Sequence, residues 1–123
     1  MHETLPENIR PWGRYDVLDV GVSYQVKRIT VEPGKRLSYQ RHERREEVWV
    51  IVSGRALFTL DDRESHHGPG EILHVPKGAK HRVACAGEEP LVFIEVQHGD
   101  YFGEDDIERF DDDFGRTGKT TPH

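Results

Sequence analysis

Cysteine is nearly absent from this 123-residue chain: Cys85 stands alone, so no internal disulfide can form and a reducing compartment, the cytoplasm, is expected. Long apolar runs are missing as well. No stretch approaches the ~20 residues of a membrane span, and Met1 to Arg10 contains no apolar segment of the kind that leads a secreted chain. Positive charge is in the minority, with 17 Lys and Arg against 23 Asp and Glu, which argues against nucleic acid as a partner. Hydrophobic residues make up only 34% of the chain. One domain of this length buries a real but modest core. So thin an apolar share fits a compact all-β barrel, or a homodimer in which a partner covers one sheet face. Helical periodicity is also lacking, and 12 glycines and 7 prolines punctuate the chain instead.

What is present reads as short strands between turn signals. Tyr24 to Val31 alternates in polarity and stops at Glu32-Pro33-Gly34. Glu47 to Val52 is rich in β-branched and aromatic residues and ends at Ser53-Gly54, after which Arg55 to Leu60 follows as the second arm of a hairpin would. Ile72 to Val75 lies between Gly68-Pro69-Gly70 and Pro76-Lys77-Gly78, and His81 to Ala84 and Leu91 to Val96 complete the set. Strands at this spacing predict a β-sandwich or barrel over residues 1–110. A helical turn is expected at Glu104 to Phe110, with its acids at the positive end of the dipole. Residues 111–123 read as a polar, flexible tail. Charge is uneven: residues 1–60 carry ten Lys/Arg and eight Asp/Glu, whereas residues 86–114 carry one Arg and eleven acids. The basic front half suits an anionic small molecule.

Two patterns carry chemistry. One, over residues 34–54, runs Gly34, five residues, Gln40, one residue, His42, four residues, Glu47, six residues, Gly54. The other, over residues 70–85, runs Gly70, five residues, Pro76, one residue, Gly78, two residues, His81. In spacing and order they resemble the two cupin motifs, with Gln40 where cupins usually have their first His, and imply a single-domain cupin, a double-stranded β-helix or jelly-roll barrel. Gln40 and His42 sit two apart on an extended segment and leave the same face. Glu47 opens the next strand, and His81 follows a Pro-x-Gly turn that sets where its strand begins. These four form the expected metal set. Two imidazoles, one carboxylate and one amide oxygen suit one divalent ion such as Zn, Mn, Co, Ni or Fe and argue against copper. Such a site, with a net charge of about +1, stabilises a developing oxyanion.

The similarity extends further. Arg10-Pro11-Trp12-Gly13, Tyr24 to Gly34, Leu37 to Trp49 and Glu95 to Phe110 resemble the C-terminal domain of type II mannose-6-phosphate isomerases, over about Arg10 to Arg116. In that family the domain commonly follows a nucleotidyltransferase domain; no Gly-rich nucleotide loop occurs here, so a stand-alone isomerase-like cupin is expected. The family often has a His-rich run where this chain reads His42-Glu43-Arg44-Arg45, and Val48 stands where a His is frequent. The resemblance implies interconversion of mannose 6-phosphate and fructose 6-phosphate through a metal-stabilised enediolate, with a sugar phosphate as the partner molecule and no membrane or redox cofactor. Glu95 and Gln97 share a strand face; Glu95 is the candidate base and Gln97 a candidate substrate contact. Arg28, with Lys27 facing the other way, and Arg36 are candidates for the phosphate, since Arg offers bidentate donors. His66 and His67 are expected in an exposed polar turn, His74 packed on its strand, Cys85 as a small buried hydrophobe, and Trp49 beneath the metal. The rival readings are a cupin dioxygenase using the same site with molecular oxygen, a sugar- or metal-binding module without turnover, and an epimerase-like cupin that works without a metal.

Overall fold

Alternation along each strand decides which residues meet in the interior. In Arg45–Ser53, Glu47, Trp49 and Ile51 are buried while Val48, Val50 and Val52 face outward; in Leu91–Gly99, Leu91, Phe93, Glu95 and Gln97 are buried. A period of two with one apolar face makes a sheet that must be covered on one side. The computed structural model describes residues 8–115 and 118–119. It places the strands in two six-stranded antiparallel sheets. The first is ordered β1 (Ile9–Arg10), β2 (Gly13–Val20), β3 (Tyr24–Val31), β10 (Leu91–Gly99), β5 (Arg45–Ser53), β8 (Ile72–Val75). The second is ordered β12 (Gly118–Lys119), β11 (Ile107–Asp111), β4 (Tyr39–His42), β9 (His81–Cys85), β6 (Ala56–Leu60), β7 (Arg63–His67). The inner faces close on each other as a double-stranded β-helix, the cupin architecture.

The core between the sheets is built on Trp49. Its ring stacks on Phe93 at 4.4 Å and meets Phe58 edge-on at 5.3 Å, with Val31, Ile51, Val83 and Leu91 fully enclosed around them. Replacing Phe93 with alanine is expected to cost about 3–5 kcal/mol, through lost burial and the cavity left beneath Trp49. Chemical denaturation with an unchanged m-value would register it as a pure stability loss.

Three local expectations change. The turn at Ser53-Gly54 is not a hairpin: β5 belongs to the first sheet and β6 to the second, so the turn is a corner. Gly54 has φ +83°, and a Cβ there would lie 2.5 Å from the Pro90 carbonyl oxygen, so the corner accepts only glycine. A true hairpin joins β6 to β7 through Asp61 and Asp62, both at positive φ (47° and 69°), an Asp-Asp version of the turn that usually carries Asn-Gly. At the C-terminal end only Glu104–Asp106 forms a single 3-10 turn. Ile107–Asp111 is a strand instead, because β4 offers an open edge and Ile107 buries opposite His42. The boundary drawn after residue 110 therefore falls inside β11. Asp112 is buried, Asp113 binds Arg36, and Phe114 packs on the core. Residues 116, 117 and 120–123 of the expected tail lie outside the described residues.

Candidate metal centre and active site

β4 and β9 lie side by side, with Gln40 paired to His81. Across the barrel, Glu47 on β5 points inward between Gln97 of β10 and Val75 of β8. His42, Glu47 and His81 are buried, and one ligand atom from each lies within 4.8 Å of the others, the group of this kind found among the described residues. The Pro-x-Gly turn also anchors the neighbouring strand. The Gly78 amide donates to the His42 carbonyl at 2.7 Å, docking the turn that starts β9 against the end of β4. His81 Nδ1 donates to the Ala79 carbonyl at 3.1 Å, which leaves Nε2 as the free lone pair. Gln40, also buried, lines the same cavity.

Glu47 is held from two sides. Trp49 Nε1 donates to Oε1 at 2.9 Å, and Arg45 Nε donates to Oε2 at 3.0 Å. Arg45 also reaches His42 Nε2 at 3.3 Å and the Phe102 carbonyl at 3.2 Å. His42 Nε2 lies 3.3 Å from both the Arg45 guanidinium and Glu47 Oε2, and its Nδ1 is buried without a hydrogen-bond partner. That unsatisfied ring, a second imidazole with its lone pair free and an ionised carboxylate beside both make a donor set that fits a borderline divalent ion.

The electrostatics follow from burial. Desolvation pushes His42 down to about 2 and lowers His81 too, so both rings are neutral. Burial opposes ionisation of Glu47, but the neighbouring His42 and Arg45 outweigh it and hold the carboxyl below its ordinary range; with the ring uncharged near neutrality, the Arg45 guanidinium is the charge responsible. Glu95 goes the other way. Burial first, and then the negative charge of Glu47, raise it well above 4.5, so it is protonated and hydrogen-bonded to Glu47. Gln97 Nε2 donates to Glu95 Oε2 at 2.9 Å, while Gln97 Oε1 is buried with no partner.

These shifts predict a stability maximum. Above pH 6.5 the fold holds one proton more than the unfolded chain, on Glu95, so stability falls as pH rises towards its raised folded pKa. Between 4.5 and 6.5 the unfolded chain holds up to two imidazole protons that the fold refuses, against that one carboxyl proton. The balance of one proton makes stability fall by about 1.4 kcal/mol per pH unit on acidification. Below 4.5, protonation of unfolded Glu47 steepens the loss. In chelator-treated protein these groups place the maximum near pH 6.5, and thermal denaturation from pH 4.5 to 8.5 would reveal it. A monotonic profile would contradict the assignment.

Not every sequence candidate reaches the cavity. Glu95 and Gln97 do, as their shared parity required. Arg28 does not: it is exposed and paired with Asp16 at 3.2 Å, while Lys27 faces inward opposite Glu95. The buried Ile29 and Val31 share parity with Lys27, and that signal in the sequence identifies the inward face. Arg36 also lies outside, clamped by Asp113 through two 2.8 Å bonds. The cations lining the cavity are Arg10, Lys27, Arg45 and Arg109. Arg109 escaped notice because its segment read as helix; on a strand it stands opposite Gln40. Arg10 lies in the Arg-Pro-Trp-Gly string and packs over the Tyr15 ring at 4.8 Å. His66 is exposed but, like the half-buried His67, belongs to β7 rather than to a turn. His74 is not packed: it faces outward and pairs with Glu46. Cys85 is buried, as expected. Val48 faces outward too, so the absence of a His there leaves the ligand set untouched.

A family model described as "Mannose-6-phosphate isomerase C-terminal" matches residues 1–112. The chain is 50% identical over 113 residues to the alginate biosynthesis protein AlgA of Pseudomonas aeruginosa, covering 92% of this chain and 24% of that one. It is 47% identical over 115 residues to the mannose-1-phosphate guanylyltransferase ManC of Salmonella typhimurium, covering 94% and 24%. The chain thus spans about a quarter of the length of these curated relatives. Among solved structures, a Klebsiella pneumoniae protein with a double-stranded β-helix domain superposes with a TM-score of 0.71 at 21% identity, over 84% of this chain and 90% of that one.

Proposed function

The chain belongs to the family of mannose-6-phosphate isomerase C-terminal domains, and on that premise we propose that it interconverts mannose 6-phosphate and fructose 6-phosphate. One observation carries the reading: a buried His42–Glu47–His81 donor set, the buried carboxyl of Glu95 and four cationic side chains share one cavity. His42, Glu47 and His81, with Gln40 beside them, would hold a divalent ion. When bound, it would supply Lewis-acid polarisation of the sugar oxygens and offset the charge of Glu47, which adds to burial in keeping Glu95 from ionising.

The chain's own residues do the rest. Glu95, ionised, accepts the proton from C2 of the open-chain aldose and returns it to C1 of the enediolate, while the O2 hydroxyl proton passes to O1; the one carboxyl serves both carbon half-reactions and no redox partner enters. Gln97 fixes one oxygen of Glu95 and leaves the other to carry the mobile proton. Its unpartnered Oε1 suits a sugar hydroxyl donor. Arg10, Lys27, Arg45 and Arg109 concentrate positive charge in a chain of net charge −6, complementary to a phosphate dianion. Among the described residues no helix is long and apolar enough to cross a membrane, and the lone cysteine suits work in the cytoplasm.

The test is an anaerobic assay of the purified chain loaded in turn with Zn, Mn, Co, Ni and Fe. The expected result is fructose 6-phosphate formation that tracks one equivalent of metal. Stoichiometric metal without ketose, for every ion tried, would overturn the isomerase reading, and oxygen uptake in its place would favour the dioxygenase.

A further inference from the structure

Outside the cavity, three side chains that isomerisation does not use are joined end to end. Ser65 and His67 lie two apart on β7 and leave one face of it, with Ser65 Oγ 2.7 Å from His67 Nε2. The other ring nitrogen, Nδ1, lies 3.2 Å from Glu71 Oε1 in the turn that leads to β8. The second oxygen of that carboxylate accepts from the Gly68 amide. This bond first, and then the one from His67, hold the Glu71 carboxyl below its ordinary range, so it is ionised near neutrality. An ionised carboxylate only accepts. The ring proton therefore sits on Nδ1, and the lone pair of Nε2 faces the Ser65 hydroxyl. The ring is also held by packing: it meets Phe58 of the core edge-on at 6.2 Å and is only 20% exposed. A hydroxyl, an imidazole and a carboxylate bonded in that order are the parts of an activated nucleophile.

We propose that Ser65, His67 and Glu71 form a second reactive site, at which Ser65 takes the acyl group of an activated ester. The site shares no residue with the cavity of the proposed isomerase. A purely structural role accounts for only part of it. The bond from Gly68 to Glu71 already closes the turn, and Ser65, exposed on an edge strand, adds nothing to that turn and stays open to a reagent. Arg63, two residues before Ser65, leaves the same face and brings a cationic donor towards the oxyanion of the addition step. Beyond the turn lies a cleft of about 420 Å³ walled by Arg55, Pro69, Gly87 and Glu88, enough for the body of a small ester. The Arg55 guanidinium packs on Gly68 and joins that cleft to the turn. In the reaction, Ser65 Oγ bonds to the ester carbonyl carbon as its proton passes to His67 Nε2. The tetrahedral oxyanion then collapses, the bond to the leaving oxygen breaks, and that oxygen takes the proton from His67. Water, giving a proton to the same nitrogen, releases the acyl group as a carboxylic acid and restores Ser65. Glu71 acts through His67 as a positioning residue.

The probe is p-nitrophenyl acetate, read by nitrophenol release and by peptide mass spectrometry of the full chain. Wild type is expected to release about one equivalent of nitrophenol in a burst and to carry the acetyl group on Ser65. Ser65→Ala is expected to abolish the burst. His67→Gln and Glu71→Gln, each folded by circular dichroism, are expected to slow acylation at least about 10-fold. Glu71→Gln keeps an oxygen for the Gly68 amide but removes the charge that orients the ring, so a residue that merely pins the turn would leave the rate unchanged. Acetyl groups found only on other residues, a burst that survives Ser65→Ala, or wild-type acylation rates in His67→Gln and Glu71→Gln would overturn the proposal.

Discussion

Glu47→Ala is expected to abolish metal uptake and to destabilise the fold by about 3–5 kcal/mol. Glu47 supplies the carboxylate of the donor set and is also the counter-charge of Arg45, whose guanidinium is only 6% exposed. Removing it leaves a cation buried without compensation, and costs of that size come from the stranded partner rather than from the pair itself. Trp49 Nε1 loses its acceptor at the same time. The paired variant Glu47→Gln separates the two roles: its amide oxygen still accepts from Trp49, so the stability loss shrinks, while metal uptake falls with the charge. Elemental analysis and chemical denaturation of both variants check this. One equivalent of metal retained in Glu47→Ala at wild-type stability would remove Glu47 from the site.

Glu95→Gln is expected to lower kcat by 10²–10⁴-fold, the usual worth of a positioned acid–base group, with metal stoichiometry unchanged. The amide is nearly isosteric and keeps contact with Gln97 but cannot carry the proton. A second readout separates catalysis from structure. Wild type loses stability above pH 6.5 because its fold must keep Glu95 protonated; the variant has no such proton, so its alkaline decline vanishes and its loss per pH unit below 6.5 roughly doubles to that of two imidazoles. Unchanged turnover would deny Glu95 a catalytic role. Lost turnover with an unchanged pH–stability profile would deny Glu95 the raised, buried resting state assigned to it.

The same pair of carboxyls explains how one cavity manages opposite roles. Glu47 and Glu95 lie on neighbouring strands, with Glu47 beside Gln97 and Glu95 beside Trp49. Arg45 and the Trp49 indole stabilise charge on the first, while burial and the negative neighbour hold the proton on the second. Environments that drive two acids apart suit one to binding and the other to proton transfer, the roles proposed for Glu47 and Glu95.

The architecture, and the meeting of Gln40, His42, Glu47 and His81 in one cavity, were legible in the residues alone. Gln40, His42, Glu47 and His81 could be read because ligand spacing is local: two residues apart on a strand means one face, and a Pro-x-Gly turn fixes where the next strand begins. Glu95 and Gln97 followed from the same parity. On β3 alternation groups Lys27 with the apolar Ile29 and Val31, which marks the inward face; what that side chain meets was settled by packing, since the pairing of β3 with β10 placed Lys27 opposite Glu95 and left Arg28 in solvent. Ser53-Gly54 has the composition of a hairpin turn, yet it became a corner because β5 pairs with β10 and β8, and β6 with β7 and β9. Residues 107–111 became a strand because β4 left an edge unpaired, and that brought Arg109 to the cavity. These choices rest on pairings between residues tens of positions apart, whose energy is shared by two segments and is written in neither one alone.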